Sequence, residues 1–198
     1  MITKLEAVNR MLAAINERPV NSLFSGLPDA ASAQAILEET TRDVVAKGWH
    51  CNTDLKYPLS PDIAGLIQIP LNLFRMKVVG KSLSLNVTTR RNGTVMCVYN
   101  VIDRTFLFTN TLEVEAVWDM PFEDLTHELQ LYIMYKSARR FQKNSVQSVG
   151  LDRNLEPLEI EAWAAVQDAE GASEEYNILT GNAHCAYITD RNSRIYGY

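Results

Sequence analysis

The stretch from Met120 to Lys143, M-P-F-E-D-L-T-H-E-L-Q-L-Y-I-M-Y-K-S-A-R-R-F-Q-K, constrains the fold more than any other part of the chain. Phe122, Leu125, Leu129, Ile133 and Phe141 recur at near-helical spacing. Leu131, Tyr132, Met134 and Tyr135 widen that stripe beyond what one packing face requires. The pattern predicts a helix covered on most sides, at the centre of a bundle. Asp119 is the expected cap, Pro121 suits the first turn, and Glu123 and Asp124 favour the positive end of the helix dipole. Lys136, Arg139, Arg140 and Lys143 close it with the sign that the other end prefers.

Two helices are expected before this one. Thr3 and Glu6 form a T-x-x-E capping box for a helix over 4–17, with Leu5, Val8, Leu12 and Ile15 on one face and Pro19 as its stop. Val20, Leu23 and Phe24 are the expected anchors of a loop over 18–28. A second helix over 30–47 is capped by Asp29 and ended by Gly48. Ala33, Leu37, Thr40 and Val44 form its inner edge, flanked by Ile36 and Val45.

After Gly48 the period changes to alternation. Strands are predicted over 49–57, 67–73, 83–89, 95–100, 105–109 and 112–118. Pro58 and Pro61 break the first, residues 62–65 turn, and Pro70 confines the second to an edge or a bulge. Asn92-Gly93 is the strongest hairpin signal. Past the central helix, 144–154 reads as a linker to a fourth helix over 155–176. Pro157 falls in its first turn, and Leu158, Ala162, Ala165, Val166 and Ala169 face inward. Residues 177–198 lose periodicity and read as an extended C-terminal tail. The expected fold is α+β: a four-helix bundle from 1–48 and 119–176, an inserted small antiparallel sheet or sandwich at 49–118, and the tail.

Charge and motifs then narrow the function. A net charge of −5 argues against a general DNA binder, which needs a basic surface to release counterions. It leaves room for a protein that DNA passes through. No apolar run approaches membrane-spanning length, and no basic region followed by an apolar core suggests a secretory leader. Cys51, Cys97 and Cys185 are widely spaced and fit reduced thiols better than a disulfide framework. No G-x-x-x-x-G-K, G-x-G-x-x-G or G-x-S-x-G occurs.

His50-Cys51 and His184-Cys185 match zinc in number of ligands, but adjacent strand residues point to opposite faces and the C-x-x-C type of spacing is missing. Neither a metal nor another cofactor is expected, and a Cys–His nucleophile pair lacks a local motif for the same reason. Glu123, Asp124 and Glu128 resemble paired carboxylates for glycoside hydrolysis, although helix-start acids on a wet face explain them better. Lys136, Arg139, Arg140 and Lys143 fit a surface facing DNA or a partner's acids, or dipole complementation alone. Residues 152–175 carry eight acidic side chains against one basic, either a solvated face or a channel lining that keeps passing DNA from sticking. Tyr187, Ile188, Ile195, Tyr196 and Tyr198 give the tail more apolar anchors than a spacer needs and mark it as a partner-binding segment.

These residues also carry a resemblance. Ala7-Val8-Asn9 with Leu12, Ile15 and Pro19-Val20 resembles the start of the tail tubular protein A family, the head-to-tail adaptors of short-tailed bacteriophages. Lys47-Gly48-Trp49 with Asn52 resembles the family's pattern of a basic residue, Gly, Trp, an aromatic and Asn, with His50 and Cys51 standing where the aromatic belongs. Pro61-Asp62 with Ile67, Ile69 and Pro70, then Asp103-Arg104, then Met120-Pro121 with Tyr132, Lys136, Ala138, Arg139 and Phe141, and finally Tyr176-Asn177 with Leu179 continue the likeness in order. The resemblance implies a non-enzymatic virion protein: a dodecameric ring joining the portal to the tail nozzle, with the C-terminal segment reaching the portal and genomic DNA passing through. It implies no membrane partner, and assembly in the host cytoplasm. A small glycan-degrading tail hydrolase using helix-borne carboxylates is the alternative.

Overall fold

A helix with apolar residues on nearly every side needs neighbours on every side. The computed structural model describes residues 1–173, and its α-helices are α1 (Lys4–Ala13), α2 (Pro28–Val45), α3 (His127–Ser145) and α4 (Val149–Ser173). Helix α3 packs against each of the other three. Its Leu129, Ile133, Ala138 and Phe141 share one buried cluster with Val8 and Leu12 of α1, Leu37 and Val44 of α2, and Ala162 and Val166 of α4. Each such aliphatic or aromatic side chain contributes about 1.5–3 kcal/mol on burial.

Several helix ends differ from expectation. Helix α3 starts at His127 after an extended Thr126, not near Pro121. Pro121 precedes a single 3-10 turn, Phe122–Asp124, and Asp119 is not a cap. Its N–H donates to the Asn72 carbonyl at 2.7 Å. The cause is Gln130, which is fully buried. Its Nε2 donates to the carbonyls of Phe122 and Glu123 at 3.0 and 3.2 Å, and its Oε1 accepts from the Ile2 N–H at 2.8 Å. The turn is thereby held off the helical path, yet Phe122 and Leu125 still reach the core.

The α1 capping box forms as expected between Thr3 and Glu6. The helix stops at Ala13, where left-handed Asn16 (φ 62) turns the chain before Pro19. Asn9 then clasps Val20: its Oδ1 accepts from the Val20 N–H at 2.8 Å and its Nδ2 donates to the Val20 carbonyl at 2.9 Å. Val20 is buried, whereas Phe24 is 94% exposed and anchors nothing. Helix α2 begins at Pro28 with Leu27 at the cap position, so Asp29 complements the dipole and does not cap. Helix α4 absorbs most of the expected linker and starts at Val149, which leaves Pro157 inside the helix. A proline there deprives the carbonyl four residues back of its helical donor. Ala162 and Val166 are buried as expected, with Leu155 beside them, while Leu158, Ala165 and Ala169 are only half-buried.

The strands are β1 (Thr53–Leu59), β2 (Leu73–Val78), β3 (Val87–Asn92), β4 (Val95–Asn100) and β5 (Leu112–Trp118). They form two antiparallel sheets, ordered β1-β5-β2 and β3-β4. The Asn92-Gly93 hairpin forms, with Gly93 at φ 63. The start of the predicted 49–57 strand is instead a 3-10 turn, His50–Asn52, and β1 runs on through Pro58. An edge strand tolerates that proline because its missing N–H faces away from the ladder. Of the predicted 67–73 strand only Leu73 is regular, as the start of β2, and 105–109 forms no regular strand. Both stretches pair through single bridges, Gln68 with Cys97, Leu66 with Leu107, and Thr105 with Asn100. Ile67 and Phe108 are nevertheless buried with Leu59, Val98, Leu112, Val114 and Ala116 in a second core. The predicted 83–89 strand begins only at Val87, and Leu83 is exposed.

The two cores meet at Asn52, a side chain only 2% exposed. Its Oδ1 accepts from the Trp49 N–H at 2.7 Å, and its Nδ2 donates to the carbonyls of Val45 at 3.0 Å and Trp118 at 2.7 Å. One amide therefore joins the end of α2, the approach to β1 and the end of β5. Asn52→Ala strands the Trp49 N–H and the Trp118 carbonyl at about 1–3 kcal/mol each before relaxation, while the Val45 carbonyl keeps the Gly48 N–H at 3.1 Å. A loss of about 3 kcal/mol in urea unfolding is expected, and a loss under about 0.5 kcal/mol would contradict this role.

Candidate functional site

The α3 exit is where the sequence places most of its charge. Arg139 pairs with Asp152, with Glu156 at 2.7 Å and with Glu159 at 3.2 Å, all on α4. Lys143 adds a contact to Asp152 at 3.3 Å. Arg140 turns the other way to α2, reaching Glu39 at 2.6 Å and Asp43 at 3.2 Å. Lys136 Nζ donates to the Tyr132 hydroxyl at 3.1 Å. The four basic residues are thus brought together along α3, but they do not form an open basic patch. The Arg139 hydrogen bond, helped by Lys143, holds the Asp152 carboxyl below the usual carboxylate range. Asp152 above all, then Glu156 and Glu159, raises the Arg139 pKa further beyond its ordinary value.

Trp163 escapes periodicity analysis, because its α4 neighbours Ala162 and Val166 already account for the inner face. It stacks edge-on to Trp49 at 5.8 Å and lies 4.9 Å from Tyr132, with Lys47 Nζ over its ring at 5.3 Å. Lys47, Gly48, Trp49 and Asn52 therefore act as one unit that seats α4 and the β strands on the end of α2. Gly48 is at φ +83, and a Cβ there would come within 3.0 Å of Arg75 and Val117. The signal for this unit was the K-G-W-x-x-N spacing itself. Gln130 gave no signal, since one buried glutamine looks like any surface glutamine in sequence.

The proposed carboxylates do not converge. Glu123 accepts from the Lys4 N–H at 3.4 Å, and Glu128 lies on the half-buried first turn of α3. A cavity of about 350 Å³ beside them is lined by Lys4, Glu38, Arg42, Asp119 and Phe122 among others, without either glutamate. Among the described residues, no three His, Cys, Asp or Glu side chains are grouped to hold a metal. Burial, and secondarily the Glu170 carboxylate, pushes the Cys51 thiol up, which suppresses the thiolate a nucleophile needs. Glu170 also accepts from the His50 N–H at 3.1 Å. His184, Cys185 and the tail residues Tyr187, Ile188, Ile195, Tyr196 and Tyr198 lie outside the described residues.

What remains conspicuous is apolar surface. Leu55, Ile63, Leu71, Leu83, Ile102 and Leu107 of the β region are each more than half exposed, as is Ile160 on α4. Exposed apolar surface on this scale is characteristic of subunits that bury it against partners. Among the described residues no helix is long and apolar enough to cross a membrane.

Much exposed apolar surface in the β region, with the α3 guanidinium groups taken up by acids of α2 and α4, is what a subunit of an assembly presents. Residues 5–176 match the Tail tubular protein family, and the chain belongs to it. It is a structural component of a bacteriophage tail and hence of the virion. No curated protein matches the chain in sequence.

The ion-pair network gives a pH prediction. A carboxyl whose folded pKa is depressed adds stability above its unfolded pKa, about 3.9, and loses it as pH falls through the folded value. Asp152→Asn is expected to cost about 1 kcal/mol at neutral pH. The gap between variant and wild type should close as pH drops below the ordinary carboxylate range. Equal gaps at neutral and strongly acidic pH in thermal unfolding would refute the pairing.

Proposed function

We propose that this protein is the head-to-tail adaptor of a short-tailed phage. In this reading it forms a homo-oligomeric ring, dodecameric in the resembling family, between the portal and the tail nozzle, and the genome passes through without sequence-specific contact. The match over residues 5–176 carries the proposal. Its support is that the adaptor-like residues hold structural posts: Asn9 clasps Val20, and Gly48, Trp49 and Asn52 form the junction between helices and strands. Helices 1–48 and 119–176 act as a four-helix bundle carrying the inserted unit 49–118, and the apolar surface of that unit supplies contacts to neighbours. The basic residues on α3 fix α4 and α2 in place, and the net charge of −5 keeps DNA from adhering.

The tail, through Tyr187, Ile188, Ile195, Tyr196 and Tyr198, is assigned to the portal, where repetition around a ring turns weak contacts into strong ones. Deleting residues 177–198 is expected to abolish docking onto portal rings while leaving the unfolding transition unchanged. Normal docking of the truncated protein, or its failure to fold, would defeat this assignment. In a phage lacking the gene, filled heads without nozzles are expected, and a complete tail on such heads would overturn the adaptor role.

A further inference from the structure

An apolar groove of about 250 Å³ lies between β2 and the β3–β4 hairpin, lined by Ile69, Leu71, Leu73, Phe74, Met76 and Met96 among others. Leu71 is fully exposed and Phe74 and Met96 are partly so. Among the described residues strand β2 pairs with β5 alone, and no strand lies along its groove-side edge. Arg91 stands opposite Met96 in the hairpin register, and opposed residues share a face, so a positive charge borders the apolar lining.

The chain carries a surface of matching character. On α4, Pro157, Ile160, Glu161, Ala164 and Asp168 fall within an arc of about 100° at the helical period. All are exposed, while Leu155, Ala162 and Val166 are buried elsewhere around the helix. Ile160 is 61% exposed and is the one large apolar side chain in that arc. Glu161, Asp168 and Arg91 make no ion pair among the described residues. The charge balance agrees: residues 49–118 hold seven basic and five acidic side chains, and residues 149–173 hold one basic and six acidic, of which Asp152, Glu156 and Glu159 pair with Arg139.

We infer that the groove receives the outer face of α4 from a second copy of this chain, with Ile160 entering the apolar lining and Glu161 meeting Arg91. The inference rests on the ring reading and names the contact that builds the ring. Groove and helix face are different surfaces, so the contact is heterologous and each copy offers one of each to its two neighbours. Complementary charge sets the register, and the buried apolar knob supplies affinity.

The test uses full-length protein supplied to a phage lacking its own copy, with tails purified from the particles. Arg91→Glu and Glu161→Arg, each alone, are expected to cut incorporation about tenfold, and the two together to restore it. Both positions are exposed and unpaired in the described residues, so the variants should unfold as wild type does. A chain bearing Arg91→Cys and Glu161→Cys should form a cross-linked ladder between copies, absent from wild type and from either substitution alone, which carry the native Cys51, Cys97 and Cys185. If wild type is incorporated but the reversals are too, and no ladder forms, this contact is wrong and the adaptor reading stands. If wild type itself is never incorporated, the adaptor reading falls and takes this contact with it.

Discussion

The side-chain amide of Asn52 sits where the helices give way to the strands, and the rest of the structure depends on it. Chain direction changes there twice: α2 ends and the β region begins, and β5 returns to feed α3. At both crossings backbone groups lie buried at the ends of elements, and burial without a partner is expensive. One asparagine has the donors and acceptor to answer three of them, from Trp49, Val45 and Trp118. Aspartate would present no donor, and alanine nothing at all. Gly48 is the companion constraint, because the left-handed turn and the close approach of Arg75 and Val117 exclude a side chain.

From that junction the helical side follows. Helix α3 is wrapped by α1, α2 and α4, and its last turns carry the guanidinium groups that bind acids on two neighbours. Long α4 buries Leu155, Ala162 and Val166 along one stripe, and the ion pairs from Arg139 to Asp152, Glu156 and Glu159 supplement that stripe. The β strands join this helical platform at the Asn52 junction.

Much of this was legible in the residues. The capping box at Thr3 and Glu6, the Gly48 stop, the Asn92-Gly93 turn, and strands β4 and β5 follow from local chemistry that acts within a few residues. The failures share a cause. Phe122 and Leu125 keep helical spacing but sit in a 3-10 turn, because buried Gln130 captures that turn from further along the chain. Phe24 looked like an anchor because its exposure depends on tertiary context, not on its neighbours. Ile67 and Phe108 alternate like strand residues and are buried like them, yet only bridges hold them. The charge cluster at the α3 exit was visible as sequence, but its partners on α2 and α4 were not, since pairing over such separations is set by packing.

For an assembly protein, the rigid junction and the exposed apolar β surface belong together. In the proposed ring, a fixed angle between helices and strands would let each copy meet the next in the same geometry, the condition for closure. The most direct test is the mass of the full-length protein, alone and mixed with its phage's portal ring, by light scattering with negative-stain imaging of the same samples. The account predicts a closed ring of this protein seated on the portal. A protein that stays monomeric and leaves the portal bare would contradict it.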